Sequence, residues 1–500
     1  MRNTEVTHTD RFGRGVPMVT VLGCDTGVAL PDVTQSGYII LGKNSDRRIS
    51  ESQRLEFHHG QLFEANTLLQ LEHRNIPQVR QTYSTLGAGP YWCWGYEEGM
   101  NEYRVAIGNE AIRTKTNREE AKAYKAGSPP ELGLLGMDVV RLTLERSKNA
   151  AEAVAWIGRL IEKYGQFGSA YVGEDNSQGY DNSYMVADTT EAWVVETYGK
   201  HWTALKLLKG SWAISNEPCI TTKWDACDSA VVSYAVEKGW WPADRVGEFN
   251  AALAYNDFHF PAELSYSRAR RFRKLLVEEE GSIDIAWFKR ILRDHYENTF
   301  RADATFNPTT PGLTTICMHA SPSGSTWGHT ASSAIFVLPP VNSGKLPVMW
   351  WCAGPPCNGL YVPVFLQGNQ LPAMVDCVGT AGKKVIAPNR ATVDEYSSDS
   401  YWWEFKRLCD LTKGNEIGST WSQRHPMVRE TFDNLENKFA RKLASIEREA
   451  GILIEKQDTQ SVELILSAFT ESCFKESMDT CRYLQQEVAQ YGEAISISLD

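Results

Sequence analysis

Hydrophobic and polar positions change period several times along the chain, and the changes sort it into groups of strands and groups of helices. Residues 18–30 read as a strand interrupted by Gly23-Cys24, and residues 37–43 as a short, mostly apolar strand. Residues 44–79 are polar and read as loop. Strand-like runs follow near 80–86, 90–95 and 103–109, and 113–131 is polar, with Ser128-Pro129-Pro130 as a breaker. The period then lengthens to that of a helix. Val139, Val140, Leu142 and Leu144 cluster within residues 135–146. Asn149 caps a second helix with Glu152 at its third position; Val154, Ile157, Leu160, Ile161 and Tyr164 make its apolar face, and Gly165 stops it. Alternation returns at 183–187, 192–197, 202–208 and 211–214. Helices are predicted at 226–238, 267–280 and 283–296, and strands at 313–318, 332–338 and 347–352. Residues 379–400 read as a loop-rich connection, and from 401 onward the chain is helical and charged. Strands in groups, then helices in groups, predict an α+β fold of layered antiparallel sheets rather than parallel βαβ units.

Composition narrows the class. Five hundred residues exceed what one core usually organises, so one large or two moderate domains are expected. The 42% apolar and 23% charged shares are those of a globular chain, which excludes wholesale disorder and collagen. No run of about 18 apolar residues occurs, so no membrane span is predicted. Lys plus Arg is 51 against 62 for Asp plus Glu, a net charge of −11 that argues against nucleic-acid binding. The apolar stretch at 18–22 is too short for a secretory signal, and Glu5 and Asp10 disfavour a transit peptide, so a cytoplasmic location is expected. The 11 cysteines are scattered and odd in number, as free thiols in a reducing compartment would be.

Gly23-Cys24-Asp25-Thr26 carries candidate chemistry. Gly23 leaves its carbonyl unshielded, so the Cys24 thiol would attack it and shift the acyl group from nitrogen to sulfur. Hydrolysis would free an α-amine, whose reference pKa of about 7.7–8.0 suits it as base for its own thiol. Read alone, Gly-Cys is first of all a buried structural cysteine on a strand, and only its context favours chemistry. Further on, Gly42-Lys43-Asn44-Ser45-Asp46 ends a strand in a cation, an amide and a carboxylate. Lys43 would stabilise a thiolate and Asp46 would orient the amine; alone the run is also ordinary turn chemistry. Cys352 and Cys357 have no second Cys/His pair nearby at ligand spacing, so no metal is expected. Nothing in the sequence orders Cys317-Met318-His319 and His329 into a protease triad. No Gly-rich phosphate loop is present, and no cofactor is indicated.

Cys24-Asp25-Thr26 with Gly42-Lys43-Asn44-Ser45-Asp46 resembles the secernins and related cysteine dipeptidases, which belong with choloylglycine hydrolase and penicillin V acylase among the N-terminal nucleophile (Ntn) hydrolases. An ordered series of further motifs extends the resemblance over roughly residues 18–365. It includes Gly99-Met100-Asn101-Glu102, Gly108-Asn109-Glu110, Gly136-Met137-Asp138, Asn182-Ser183-Tyr184, Ser215-Asn216 and Gly354-Pro355-Pro356-Cys357. The resemblance implies a four-layer αββα sandwich, two antiparallel sheets between helical layers, with a helical C-terminal extension. It implies a leader at 1–23 removed to expose Cys24, an Ntn core at 24–378, the connection at 379–400 and a helical region at 401–500 packed on the core; a start at Met18 would shorten the leader. By motif, Cys24 matches the nucleophile, Asp46 the carboxylate that holds it, and Asn109 and Asn216 the oxyanion amides. Lys43 stands where bile-salt-type relatives carry arginine, which argues against bile-salt or penicillin substrates. The family arginine sits in a Ser-x-Arg-Phe context; Arg271 aligns by Phe272 and Arg268 by Ser267, and Arg271 is preferred. The implied activity is hydrolysis of a linear amide through a thioester, foremost of a dipeptide, without cofactor or metal. Two other readings stay open: a non-catalytic regulator of secretion acting through protein contacts, and an N-acyl amidase or acyltransferase. A small peptide or N-acyl amide is the expected partner, and a homo-oligomer is compatible with the helical end.

Overall fold

The first strand, Asp25–Ala29, pairs antiparallel with Ile39–Arg47 in a register that sets Thr26 opposite Lys43 and Gly27 opposite Gly42. Alternation along both strands sends Thr26 and Lys43 to one face of the sheet and the two glycines to the other. The computed structural model describes residues 23–260, 263–302, 306–310, 313–320 and 328–496.

Two antiparallel sheets make the centre. One has six strands in the order Ser211–Ile214, Asp25–Ala29, Ile39–Arg47, His329–Leu338, Val348–Ala353 and Val362–Val364. The other has eight: Ala226–Cys227, His201–Leu207, Ala192–Tyr198, Asp181–Ala187, Ala106–Ile112, Glu98–Asn101, Thr85–Pro90 and Gln53–His58. The sheets meet where Asp25–Ala29 and Ile39–Arg47 face Ala106–Ile112. Helices Gly136–Leu144 and Ala150–Tyr164 cover the eight-stranded sheet, and Glu263–Glu278 and Ile285–Leu292 cover the six-stranded one. This is the helix–sheet–sheet–helix layering expected from the sequence. Helices Tyr401–Lys413, Trp421–Glu455 and Thr459–Ser496 pack on the far strands of the six-stranded sheet. Their Phe432, Phe439 and Phe474 join the core cluster that also contains Leu41 and Trp350.

The Gly27–Gly42 pair is what lets the helical layer close. A methyl group on Gly27 would lie 2.2 Å from the Phe272 ring, and one on Gly42 would lie 2.6 Å from Phe288. The two rings meet edge to face with centroids 6.4 Å apart, so the helices rest on a strip of bare backbone.

Local readings failed where burial is polar. Residues 53–58, expected as loop, form a buried strand because Arg54 and Glu56 pair with each other at 3.0 Å. Strand Ile39–Arg47 runs four residues past the expected end, since Asn44, Ser45, Asp46 and Arg47 continue the ladder against His329–Leu338. The stretch 113–131 contains helix Lys115–Lys125, started by a Thr114 capping box. Residues 90–95 and 313–318 carry no strand beyond the last residue of Thr85–Pro90. Residues 18–22 lie outside the described residues.

Gly27→Ala is expected to lower stability by about 1–3 kcal/mol, because strand and Phe272 cannot both keep their positions. The check is a lower urea midpoint at unchanged slope.

Candidate active site

Cys24 immediately precedes the first strand, which lies between Ser211–Ile214 and Ile39–Arg47 under helix Glu263–Glu278. It is buried, and its φ of 135° is a backbone conformation that residues with side chains rarely adopt. Four groups hold it there. The Asp46 N–H donates to Cys24 Sγ at 3.3 Å. Ser215 Oγ and Arg268 Nη1 donate to the Cys24 carbonyl at 3.3 and 3.0 Å. Just upstream, Asn216 Nδ2 donates to the Gly23 carbonyl at 3.2 Å and to the Ala111 carbonyl at 2.8 Å.

Arg268 ties this network together. Its guanidinium also donates to Asp25 Oδ2 at 2.6 Å and to Asn216 Oδ1 at 2.8 Å, all in full burial. The planar fork therefore fixes a carboxylate, an amide and the Cys24 backbone at once. Asp46 lies on the other side of Cys24. Thr330 Oγ1 donates to its Oδ1 at 2.6 Å, whereas its buried Oδ2 has no hydrogen-bond partner among the described residues. That free oxygen faces Gly23: a methyl group there would come within 2.3 Å of it. Burial pushes the Asp46 carboxyl up to about 7, against the lowering influence of Arg268 and Thr330. Burial likewise pushes Asp25 up to about 6, opposed by Arg268.

Lys43 lies in the interface between the sheets with no exposure. Its Nζ donates to the Asn109 carbonyl at 2.6 Å and pairs with Glu110 at 3.7 Å. Burial works against its charge, but Cys24, Glu110, Glu97 and Glu98 outweigh it and hold Lys43 above the usual lysine range. Burial pushes the Cys24 thiol well up, and Lys43 is the largest influence in the other direction. Glu110 also accepts from Thr26 Oγ1, and burial raises it to about 8; Glu98, which accepts from Ser332 Oγ, is raised to about 7. A thiol, a lysine, a carboxylate near neutrality and two amide or guanidinium donors can form and stabilise an acyl-thioester intermediate.

Of the residues singled out from sequence, Cys24, Lys43, Asp46 and Asn216 come together. Asn109 contributes only its carbonyl. The pleat puts Gly108 and Glu110 toward Lys43 and sends the Asn109 side chain to the opposite face, where Nδ2 donates to Asn182 Oδ1 at 2.9 Å beside Gly136. The preference for Arg271 is corrected: it pairs with Asp294 at 2.6 Å and donates to the Glu297 carbonyl, and Arg268 is the arginine on Cys24. Three residues separate them, most of a helical turn, and Asp294 captures the one that faces it. Sequence reasoning missed Asp25, Thr26, Glu110, Ser215 and Thr330. The Gly108-x-Glu110 spacing on a strand was a usable signal, since it puts a carboxylate on the same face as a glycine that yields to Lys43.

Comparison with known proteins places this geometry in context. The model of peptidase family C69 matches residues 93–415, well over half the chain. The match contains Asn216 and Arg268 and begins after Cys24, Lys43 and Asp46. Among solved structures, a mutant of the conjugated bile acid hydrolase from Clostridium perfringens is 14% identical, covering 75% of this chain and 97% of its own, with a TM-score of 0.39. Penicillin V acylase from Agrobacterium tumefaciens is 12% identical over 68% of this chain and 86% of its own, TM-score 0.34. The Caenorhabditis elegans ortholog of N-acylethanolamine-hydrolyzing acid amidase is 14% identical over 64% and 95%, TM-score 0.32.

The buried carboxyls set a pH dependence. Glu110 titrates near 8 when folded, against about 4.3 when unfolded, so the folded state holds a proton that the unfolded state has released. Stability therefore falls as pH rises from about 4 to about 8. Glu110→Gln, which keeps an acceptor for Thr26, is expected to make the fall of Tm across this window shallower. A variant slope as steep as the parent's would contradict the assignment.

Proposed function

This chain belongs to peptidase family C69, and from that membership and the setting of Cys24 we propose a cysteine hydrolase of the N-terminal nucleophile type that removes its own leader and then cleaves dipeptides. Amide- or peptide-bond hydrolysis follows from the family; the nucleophile, the self-processing and the substrate are the proposal. The observation that carries it is the state of the Gly23–Cys24 peptide. Its carbonyl rests on Asn216 Nδ2, a carboxylate oxygen with no hydrogen-bond partner among the described residues lies against Gly23, and the strained torsion at Cys24 is the one that cleavage of this bond abolishes.

In processing, Cys24 Sγ attacks the Gly23 carbonyl carbon as its proton passes to Asp46. The oxyanion gathers on Asn216 Nδ2. The C–N bond breaks, Asp46 returns the proton to the Cys24 nitrogen, and water hydrolyses the resulting thioester to release the leader as a carboxylic acid. The new α-amine faces Asp46 Oδ2, which thereby gains its missing partner. In turnover the amine takes the thiol proton, Sγ attacks the substrate amide, and the leaving amine collects the proton. Water opens the acyl-thioester with the same amine as base. Lys43 offsets the charge of the thiolate. A dipeptide, unlike an N-acyl amide, brings an ammonium that needs an acidic partner. We assign that role to Glu97, whose carboxylate influences the Cys24 thiol and has Arg47 3.4 Å away on its Oε1 side.

Intact mass and N-terminal sequencing test the processing. The wild type is expected to begin at Cys24 and Cys24→Ala to retain the leader; a Cys24→Ala chain cut at the same bond would overturn self-processing. Asn216→Ala is expected to slow processing by about 10²- to 10³-fold. On the mature enzyme, Glu97→Gln is expected to lower kcat/KM about 10- to 100-fold for dipeptides and to leave their N-acetyl forms unaffected, as loss of one charged hydrogen bond would. Turnover of N-acyl amides with no activity on dipeptides would sink the dipeptidase assignment and retain the nucleophile.

A further inference from the structure

Four buried side chains from separate parts of the chain converge at the junction between the six-stranded sheet and the C-terminal helices. They are His295, just after helix Ile285–Leu292; Cys317 and His319, ahead of strand His329–Leu338; and Cys357, just after strand Val348–Ala353. Each offers one donor atom, and the four atoms lie within 4.8 Å of one another. Cys352, the cysteine nearest to Cys357 in sequence, takes no part: its thiol points to the Ala353 carbonyl. The sequence shows no second Cys/His pair near Cys357 at ligand spacing, because the residues that surround it are distant in sequence and adjacent only in the fold.

The geometry fits one metal and one class of metal. Cys357 Sγ and Cys317 Sγ lie 3.3 and 3.7 Å from His319 Nε2. A tetrahedron with metal–sulfur bonds of about 2.3 Å and metal–nitrogen bonds of about 2.0–2.1 Å has edges of roughly 3.3–3.8 Å. His295 supplies a second, independent sign. Its Nδ1 is held by Glu297 Oε1 at 3.0 Å, which leaves Nε2 as the inward atom, turned to Cys357 and without a hydrogen bond of ordinary geometry among the described residues. A carboxylate on the far nitrogen is the usual outer partner of a metal-bound histidine, fixing both tautomer and ring plane. Two thiolates and two imidazoles in a closed set of four select zinc in a structural role. Aromatic rings flank the cluster: Phe306 stacks on His295 at 3.6 Å between centroids, and Trp421 lies edge-on to His319 at 5.7 Å. A cavity of about 300 Å³ lined by His319 and Trp421 gives an entry path.

The cluster is wired to the active site. Met318, between two of the four residues, donates its N–H to Thr330 Oγ1 at 2.9 Å and accepts from the Thr330 N–H at 3.0 Å. Thr330 Oγ1 in turn donates to Asp46 Oδ1. On the outer side, His425 Nε2 lies 3.0 Å from the Cys357 carbonyl, which joins the cluster to helix Trp421–Glu455. Arg271 holds the turn that carries His295, through Asp294 and the Glu297 carbonyl.

We propose that His295, Cys317, His319 and Cys357 bind one structural zinc ion that clamps the segment behind Asp46 to the C-terminal helical layer. The full chain, purified under reducing conditions without chelator, is expected to carry about one zinc per chain by elemental mass spectrometry. Cobalt(II) in its place is expected to give the thiolate charge-transfer and visible bands of a tetrahedral S₂N₂ site. Cys357→Ser and His319→Ala are expected to lose most of the bound metal, and Cys352→Ser to keep it. Should the ligand variants fail to fold, the wild type supplies the measurement: a tight chelator is expected to lower Tm, and added zinc to restore it. Cys24→Ala, unable to act on its leader, is expected to bind zinc like the wild type, so the result is independent of the proposed chemistry. Absence of zinc both as purified and after reconstitution would overturn the proposal, as would a Cys317–Cys357 disulfide under reducing purification or unchanged zinc in Cys357→Ser.

Discussion

A lysine ammonium with no access to solvent sits between the two sheets, and the way the sheets meet follows from the need to compensate it. A buried charge without partners costs several kcal/mol, more than a typical hydrogen bond returns. Lys43 therefore fixes what stands opposite. Glu110 must point inward, as a counter-charge once ionised and as a polar neighbour while protonated, the Asn109 carbonyl must be within reach, and residue 108 must be glycine, since a methyl group there would meet the Lys43 stem at 2.6 Å. One side chain thus sets the register in which strand Ala106–Ile112 faces strands Asp25–Ala29 and Ile39–Arg47. A one-residue slip would turn Glu110 away and bring the Asn109 side chain against the ammonium.

The opposite face of the first strand is governed by a second buried cation. Arg268 comes from the helix that the Gly27–Gly42 strip admits, so packing and chemistry share a cause there. Phe272 seats the helix one turn from Arg268, and the seated helix delivers the guanidinium to Asp25, Asn216 and the Cys24 carbonyl. Lysine would not replace this arginine, because three acceptors in different directions need a planar fork. The two cations approach Cys24 from opposite sides of one sheet, which is why its two neighbours on the strand, Asp25 and Thr26, belong to different networks.

Much of this was legible in the sequence, and the pattern of failure is physical. Apolar periodicity located helices Gly136–Leu144 and Ala150–Tyr164 and strands Asp181–Ala187 and Ala192–Tyr198, where burial is apolar. It missed Gln53–His58 and the second half of Ile39–Arg47, where polar side chains are buried against one another and the pattern resembles an exposed loop. Site residues close in sequence, Cys24 to Asp46, were legible from motif chemistry. The arginine needed knowledge of which face of its helix is turned inward, and only the position of Asp294 decides that. The Cys/His cluster was illegible for a related reason: its members are 62 residues apart at the extremes, and ligand spacing is informative only when one turn or hairpin carries the ligands.

Cys24 shows how these parts combine. A residue with a side chain at φ of 135° costs of the order of 1–3 kcal/mol. Against this stand a hydroxyl and a guanidinium on its carbonyl and a backbone N–H on its sulfur. Neutral hydrogen bonds return about 0.5–1.5 kcal/mol each and a charged one about 1.5–3, so the restraints outweigh the strain and the conformation is held. They act on the carbonyl and the sulfur, and none acts through the amide nitrogen. Among the described residues only Asn216 reaches across to the Gly23 carbonyl, and it does so as a donor, the one kind of contact that strengthens as negative charge develops there. The strain is thereby confined to the torsion about the Cys24 nitrogen. Breaking the bond that precedes this nitrogen releases the strain and leaves every restraint on the strand in place.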